Sequence, residues 1–329
     1  MFHGVCNVEI PTLHDIENAA KLLKTRIKHT PLVRSEFLSE ITNGSVYLKL
    51  ENLQKTGAFK IRGAFTALSR LEQEGDSKGV ITASSGNHGQ AVGLAAAELG
   101  INATIVVPEH VSKSKLEKIE QFDVTVIKRG SYEEVEPLAK KLAHDKDLTY
   151  VSGYNHPDII AGQGTVALEI LKAEPETDTI IVPVGGGGLV SGIAIAAKGL
   201  NPEIQIIGVQ AEASPMVYHC WKSNEFIEVK EEETVASGLM GGIQEGSITL
   251  SIMRDKVDDM VLVEEGTITH ALKILYEAEG QRVEGAAAVA VAGILKDPER
   301  FRGENIVAVL SGGNIEESTF QQLIRDTSS

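Results

Sequence analysis

Short apolar runs rich in β-branched residues alternate along this chain with longer amphipathic or alanine-rich stretches. Val80 to Ala83, Ala103 to Val107, Val124 to Ile127 and Leu148 to Val151 have the length and composition of short buried strands. Between them, Gly89 to Leu99, Ser112 to Phe122 and Tyr132 to Ala143 predict helices. The pattern then restarts with a helix over Asp158 to Lys172, a strand over Thr179 to Val184, a helix over Leu189 to Gly199 and a strand over Gln205 to Gln210. Helices over Thr267 to Glu279 and Gly285 to Leu295, then a strand over Asn305 to Leu310, complete a second set. Strand and helix alternating at this spacing build βαβ units, so the chain predicts an α/β protein with two open, mainly parallel sheets. Its 329 residues exceed what one hydrophobic core usually supports, which predicts two compact units of unequal size.

Composition removes several function classes. The chain carries 31 Lys and Arg against 46 Asp and Glu, a net charge of −15, which repels phosphate backbones and argues against nucleic acid as a partner. No stretch reaches the roughly 18 apolar residues of a membrane span, and the amino-terminal MFHGVCNVEIPTLHDIENA lacks the basic region and apolar run of a secretory signal. Cys6 and Cys220 are too few and too distant in sequence for a disulfide scaffold or a thiolate metal cluster. Two free thiols in a reducing cytosol are expected, and with them a cytoplasmic protein.

Ligands in open α/β sheets bind beyond the carboxyl ends of the strands, where glycine-rich turns enter helices. Three turns fit that description. Gly185, Gly186, Gly187 and Gly188 follow TIIVPV and precede LVSGIAIAA. Side-chain-free amides together with a helix amino terminus can hold a phosphate without a cation, although such a run also suits a plain tight turn. The segment LENLQKTGAFKIRGA sets Lys60 between Phe59 and Ile61, beside Arg62 and near a helix start. An amine has a free pKa of about 10.4, and apolar or positive surroundings lower it toward one that can form an imine. A lone lysine is otherwise a surface group. In TASSGNHGQAVGLAA, Ser84, Ser85, Gly86, Asn87 and His88 occupy the turn, where hydroxyls and exposed amides suit a carboxylate or a polar ring edge. His88 reads either as a base or as a structural hydrogen-bonding group, and the second is preferred because Lys60 is better placed for proton transfer.

TGAFKIRGA, SSGNHGQA, AGQGT (Ala161 to Thr165), VPVGGGGLVSG and LSGGN (Leu310 to Asn314) stand in the order seen in the threonine/serine dehydratase and serine racemase family. The chain resembles that family, of fold type II among pyridoxal-phosphate enzymes and related to the tryptophan synthase β fold, from about Ile16 to about Ile315. The resemblance implies a discontinuous large cofactor-binding domain, residues 1–52 and 152–329, and a small substrate-binding domain, residues 53–151. It implies pyridoxal 5'-phosphate as cofactor. Lys60 would carry it covalently, with Phe59 beside its ring and Asn87 at the ring hydroxyl. Gly185 to Gly188 with Leu189 would form the phosphate cup, Ser311 would meet the pyridine nitrogen, and the Ser84 to His88 turn would bind substrate. A serine at that nitrogen leaves the ring a shallower electron sink than a carboxylate would, which favours prompt loss of a β-substituent.

The activity implied is an ammonia-lyase converting L-threonine or L-serine to a 2-oxo acid and ammonia by elimination of water. Cysteine synthases typically show an SVKDR type of lysine segment and threonine synthases an SFKDRG type, so AFKIRG disfavours both. The chain ends soon after LSGGN, so no carboxy-terminal regulatory domain is expected. Ser85 stands where racemase-type relatives keep an acid or base, which leaves racemisation of serine or aspartate as the alternative. Gln210 and Met216 occupy the places of cation ligands in eukaryotic serine racemases, so no metal is expected, although Glu212 remains a possible oxygen ligand. The family's ADG reads ASG here, with Ser237 for the acid and LMGGIQEGS after it, which opens a shift toward 3-hydroxyaspartate or another hydroxy amino acid. A non-catalytic cofactor-binding or amino-acid-sensing protein is the remote alternative. Relatives imply a homo-oligomer, dimer or tetramer, with a small amino acid as the only other partner.

Overall fold

The structure, a computed structural model, describes residues 9–75 and 78–326. Cys6, residues 1–8 of the amino-terminal stretch and residues 327–329 lie outside the described residues. The chain opens with α1 (Leu13–Leu23), β1 (Leu32–Ser35), α2 (Glu36–Thr42) and β2 (Ser45–Lys49). There follow α3 (Lys60–Glu74), β3 (Val80–Ala83), α4 (Asn87–Leu99), β4 (Ala103–Val107), α5 (Lys113–Glu120), β5 (Thr125–Lys128), α6 (Val135–Lys146) and β6 (Thr149–Tyr150). The second half runs α7 (Pro157–Ala173), β7 (Thr179–Pro183), α8 (Gly188–Leu200), β8 (Gln205–Ala211), α9 (Met216–Ser223) and α10 (Ile248–Lys256). It closes with β9 (Asp259–Val263), α11 (Glu265–Glu277), α12 (Gly285–Lys296), β10 (Asn305–Val309) and α13 (Glu317–Asp326).

Two sheets result. The six-stranded sheet has the order β1-β2-β10-β7-β8-β9, and the four-stranded sheet the order β5-β4-β3-β6. Every pairing is parallel except β1 with β2. Parallel sheets need both faces covered. Accordingly α12, whose residues Gly285 to Ile294 are all buried, packs with the apolar cluster on one face of the larger sheet, while α7 and α8 share the cluster that includes Ile180, Val182 and Val307.

Local chemistry sets the helix ends. Thr12 and Asp15 form a reciprocal capping box at the start of α1. Pro157 enters the first turn of α7, and Gly75 ends α3 in the left-handed conformation. The AGQGT motif works through close approach: a Cβ on Gly162 would stand 2.5 Å from the Arg62 carbonyl oxygen, and one on Gly164 would stand 2.7 Å from that of Gly192. Helices α3 and α8 therefore press against α7 at glycine contacts.

Several expected boundaries move. Helix α4 starts at Asn87 rather than Gly89, so Asn87 and His88 belong to its first turn. The helix expected over Tyr132 to Ala143 is shifted to Val135–Lys146, because Asp147 supplies a left-handed cap one residue after Lys146. The strand expected over Leu148 to Val151 shrinks to Thr149–Tyr150. Strands β1, β2 and β9, together with α1, α2, α9, α10 and α13, are additions to the predicted pattern.

A buried ion cluster joins α3 to the larger sheet. Arg62 Nε and Nη2 donate to the two Glu51 carboxylate oxygens, each at 2.8 Å, and its Nη1 reaches Glu169 at 2.7 Å. Lys49 Nζ donates to Glu169 at 2.6 Å and to the Thr30 carbonyl at 2.7 Å. This anchors the turn that carries Lys60, two residues earlier.

Candidate active site

A cleft of about 620 Å³ opens where the carboxyl ends of both sheets meet, lined by residues that follow β3, β6, β7 and β10. Lys60 is the first residue of α3, and the chain leading to it is held on the loop after β10. The Phe59 N–H donates to the Ser311 carbonyl at 3.1 Å, and Ala58 forms an isolated bridge with Gly312. That pairing brings Lys60 and Ser311 into the same cleft although 251 positions separate them (311 minus 60). Lys60 Nζ donates to the Gly153 carbonyl at 2.7 Å and lies 5.0 Å from the Phe59 ring centroid. Burial lowers its pKa from 10.5 to about 8, opposed by the nearby Glu284 carboxylate.

The glycine turn bridges β7 and α8. Gly187 takes φ +85, and a Cβ on Gly186 would stand 2.4 Å from Cγ of Tyr154. A Cβ on Gly185 would meet Leu239 at 3.1 Å, and one on Gly188 would meet Tyr154 at 3.0 Å. The first N–H groups of α8, those of Gly188 and Leu189 among them, have no partner within the helix and open at the cleft.

On the other side, Ser84, Ser85 and Gly86 lead into α4, and the Gly86 N–H donates to Ser84 Oγ at 3.2 Å. Asn87 is engaged at both ends: its Nδ2 donates to Glu284 at 2.8 Å, and its Oδ1 accepts from Asn314 Nδ2 at 2.8 Å. His88 Nε2 donates to the Val151 carbonyl at 3.1 Å. Burial first, then Lys60, depresses its pKa to about 3, so the imidazole stays neutral. All thirteen residues picked out from the sequence, from Phe59 to Ser311, line this one cleft.

Glu284 and the side chain of Asn314 carry no role in the sequence reading, yet both sit in the cleft. Burial raises Glu284 to about 7, against the opposing pull of the Asn87 and Asn314 hydrogen bonds and of Lys118 and Lys60. The available signal is slight: Glu284 is an isolated acid directly before the apolar run GAAAVAVAG, at the N-cap of α12. Gln210 Oε1 accepts from the Tyr218 N–H at 3.0 Å and Glu212 pairs with Lys296 at 3.4 Å.

A parallel-sheet cleft with a desolvated lysine amine, a glycine turn at a helix start and a buried serine defines a cofactor-dependent enzyme class. The family model described as "Pyridoxal-phosphate dependent enzyme" matches residues 23–312. The chain is 40% identical over 314 residues to the L-threonine ammonia-lyase of Thermotoga maritima, covering 95% of this chain and 78% of that protein. It is 42% identical over 312 residues to a catabolic L-threonine dehydratase of Staphylococcus aureus, covering 93% and 90%. Among solved structures, maize serine racemase superposes with a TM-score of 0.88 at 34% identity, covering 97% of this chain and 98% of that one. The chain belongs to the pyridoxal-phosphate-dependent enzyme family.

The residues present fit that cofactor. The turn at Gly185 to Gly188 is a cradle that side chains would fill, and it faces the same cleft as the Lys60 amine. No helix among the described residues is long and apolar enough to cross a membrane.

Proposed function

We propose that this chain is an ammonia-lyase that converts L-threonine, L-serine or both to a 2-oxo acid and ammonia by removing water. The observation that carries this reading is the Lys60 amine, desolvated and held inside a cleft shared with the glycine turn, Ser85 and Ser311. Similarity to proteins named for threonine ammonia-lyase and dehydratase activity supports it.

Pyridoxal phosphate, when bound, supplies an aldehyde for covalent attachment and a ring that draws electrons from the bonds to the substrate's α-carbon. Gly185 to Gly188 with Leu189 would hold its phosphate through backbone amides, with Phe59 beside its ring and Asn87 at the ring edge bearing the hydroxyl. Ser311 would offer a neutral hydroxyl, rather than a carboxylate, to the ring nitrogen, which suits prompt loss of a β-substituent. Ser84, Ser85 and the amides at the start of α4 grip the substrate carboxylate. A Lys60 amine with pKa about 8 accepts a proton at Nζ near neutral pH and returns it within the same cleft. His88, neutral and committed to Val151, orients the turn without moving a proton.

Racemisation is the second reading, favoured by the Ser85 hydroxyl in the cleft and by the likeness to maize serine racemase. Turnover of 3-hydroxyaspartate and a non-catalytic sensing role are further outcomes of the same test. The purified holoenzyme is incubated with a panel of L- and D-hydroxy amino acids while 2-oxo acid and enantiomer are measured together. Dominant 2-oxo acid from threonine or serine is expected. A protein that absorbs visible light yet yields no 2-oxo acid from any of them overturns the reading.

The proposal extends to organisation. Residues 53–151, which hold β3 to β6, act as the small substrate-binding domain, while residues 1–52 and 152–329 act as the large cofactor-binding domain. The enzyme works in the cytoplasm as a homo-oligomer, dimer or tetramer, with no nucleic-acid or membrane partner and no resident metal.

A further inference from the structure

Residues 239–247, LMGGIQEGS, run from the 3-10 turn Ser237–Leu239 toward α10, and nothing in the chemistry above uses Gln244 within them. Gln244 bonds out of its own segment through its N–H and both ends of its side-chain amide, while its carbonyl accepts from the Ser247 N–H at 3.1 Å. Its backbone N–H donates to the Tyr154 hydroxyl at 3.1 Å. Its Oε1 accepts from Lys140 Nζ at 2.9 Å, and its Nε2 donates to the Glu136 carboxylate. Lys140 also pairs with Glu136 at 3.0 Å, which closes a ring of three side chains between this segment and α6.

Two of these partners shape the cleft. Glu136 and Tyr154 line it, as does Tyr150, whose phenol is held protonated by burial and then by the neighbouring Glu136 carboxylate. The Tyr154 ring lies against Gly186, where any added Cβ would strike it. A neighbouring bond, from the Ile248 N–H to Asn155 Oδ1 at 3.0 Å, extends the seam to the start of α10.

We propose that Gln244 is a positioning residue for the reaction: its amide holds Glu136, Tyr150 and Tyr154 as a fixed wall of the cleft that Ser84 and Ser85 also line. The amide accepts from Lys140 while donating to Glu136, a pairing that neither a carboxylate nor a thioether can reproduce. A carboxylate at 244 faces a second carboxylate, and an apolar isostere leaves the Lys140–Glu136 pair with no bond to this segment. A loosened wall enlarges the room around the substrate, which weakens binding more than it alters the proton transfers at Lys60. The inference rests on the ammonia-lyase reading for its choice of substrate alone.

The test uses the holoenzyme and the variants Q244E, Q244M and the exchanged pair Q244E/E136Q, which re-forms one amide and one carboxylate in reversed order. Two readouts are taken: kcat and KM for L-threonine and L-serine, and amide hydrogen exchange over residues 132–154 and 239–248. Q244E and Q244M should raise KM about tenfold with kcat within about threefold, and both segments should exchange faster. Q244E/E136Q should restore KM and protection together, which a merely structural glutamine would not produce. Unchanged KM and exchange in both single variants, or no recovery in the exchanged pair, overturns the proposal. If wild-type enzyme makes no 2-oxo acid from either substrate, the ammonia-lyase reading fails, and the exchange readout still decides the role of Gln244.

Discussion

The Lys60 amine and the Gly153 carbonyl oxygen stand 2.7 Å apart, which ties the first residue of α3 to the chain leaving β6 and aims the amine into the cleft. Gly153 in turn lies under His88, since a Cβ there would approach the imidazole Cδ2 to 3.4 Å. Replacing Lys60 by Ala removes from the cleft an amine that burial lowers to a pKa of about 8. Formation of 2-oxo acid from threonine and serine should fall by about a thousandfold or more. Borohydride should bleach the visible band in wild type and leave cofactor covalently fixed to the protein, read as near-ultraviolet absorbance that survives denaturation, and the variant should retain none. Near-normal turnover would show that the proton passes elsewhere.

Glu284 and Lys60 make opposite contributions to stability in the cofactor-free protein. Burial raises Glu284 from 4.5 to about 7. Across that window the native state keeps a proton that the unfolded chain has released, so stability falls as pH rises through it. Lys60 is lowered from 10.5 to about 8, so between those values the unfolded chain holds the extra proton and stability rises with pH. The two groups together place a minimum near pH 7 to 8. Glu284→Gln keeps the shape and the Asn87 contact but cannot ionise. It should gain on the order of 2 kcal/mol at pH 8, after allowance for water in the cleft, and almost nothing at about pH 5. Urea denaturation at both pH values checks the difference, and an equal gain at both would refute the ionisation argument.

Much of this site is legible in the sequence because its pieces are local. Strand, turn and helix follow one another within a dozen residues at Ser84 to His88 and at Gly185 to Gly188, so each turn announces its own ligand geometry. Glu284 announces nothing, because its meaning depends on Asn87, 197 positions away, and Asn87 depends also on Asn314 at 227. Gln244 reaches Glu136 across 108 positions. The fold shows the same division. Central strands such as β7, buried at every residue, stand out as apolar runs, whereas β1 and β9 lie at the sheet edges with partly exposed residues and give weaker patterns. The expected start of α6 falls three residues early because 132–134 are turn rather than helix, and its end is set by the left-handed backbone of Asp147.

Gly186→Ala tests the cradle directly. The new methyl would arrive 2.4 Å from Cγ of Tyr154, and the Tyr154 hydroxyl is itself tied to the Gln244 N–H. The ring cannot swing aside without breaking that bond, so the turn must shift instead. Affinity for pyridoxal phosphate should drop at least about tenfold, read by titrating the cofactor-free variant and following visible absorbance. Gly266→Ala is the control, because nothing lies within 4 Å of a Cβ there and cofactor binding should be unchanged.

Arg62→Ala should be the most destabilising single change near the site. Both Arg62 and Glu51 are fully buried, and the guanidinium meets both Glu51 oxygens and Glu169. Removing it leaves Glu51 without its counter-ion in a dry interior, which typically costs about 3–5 kcal/mol. Arg62→Lys keeps the charge but cannot present two parallel N–H groups to Glu51, so it should fall between wild type and Ala. Thr165→Val separates charge from simple hydrogen bonding: it deletes a 3.0 Å bond from Arg62 Nη1 and should cost only about 1 kcal/mol. Guanidinium unfolding midpoints rank the three. If Arg62→Ala and Thr165→Val lose the same stability, the cluster holds α3 by packing rather than by charge, and the anchoring of Lys60 must be sought in the glycine contacts with α7.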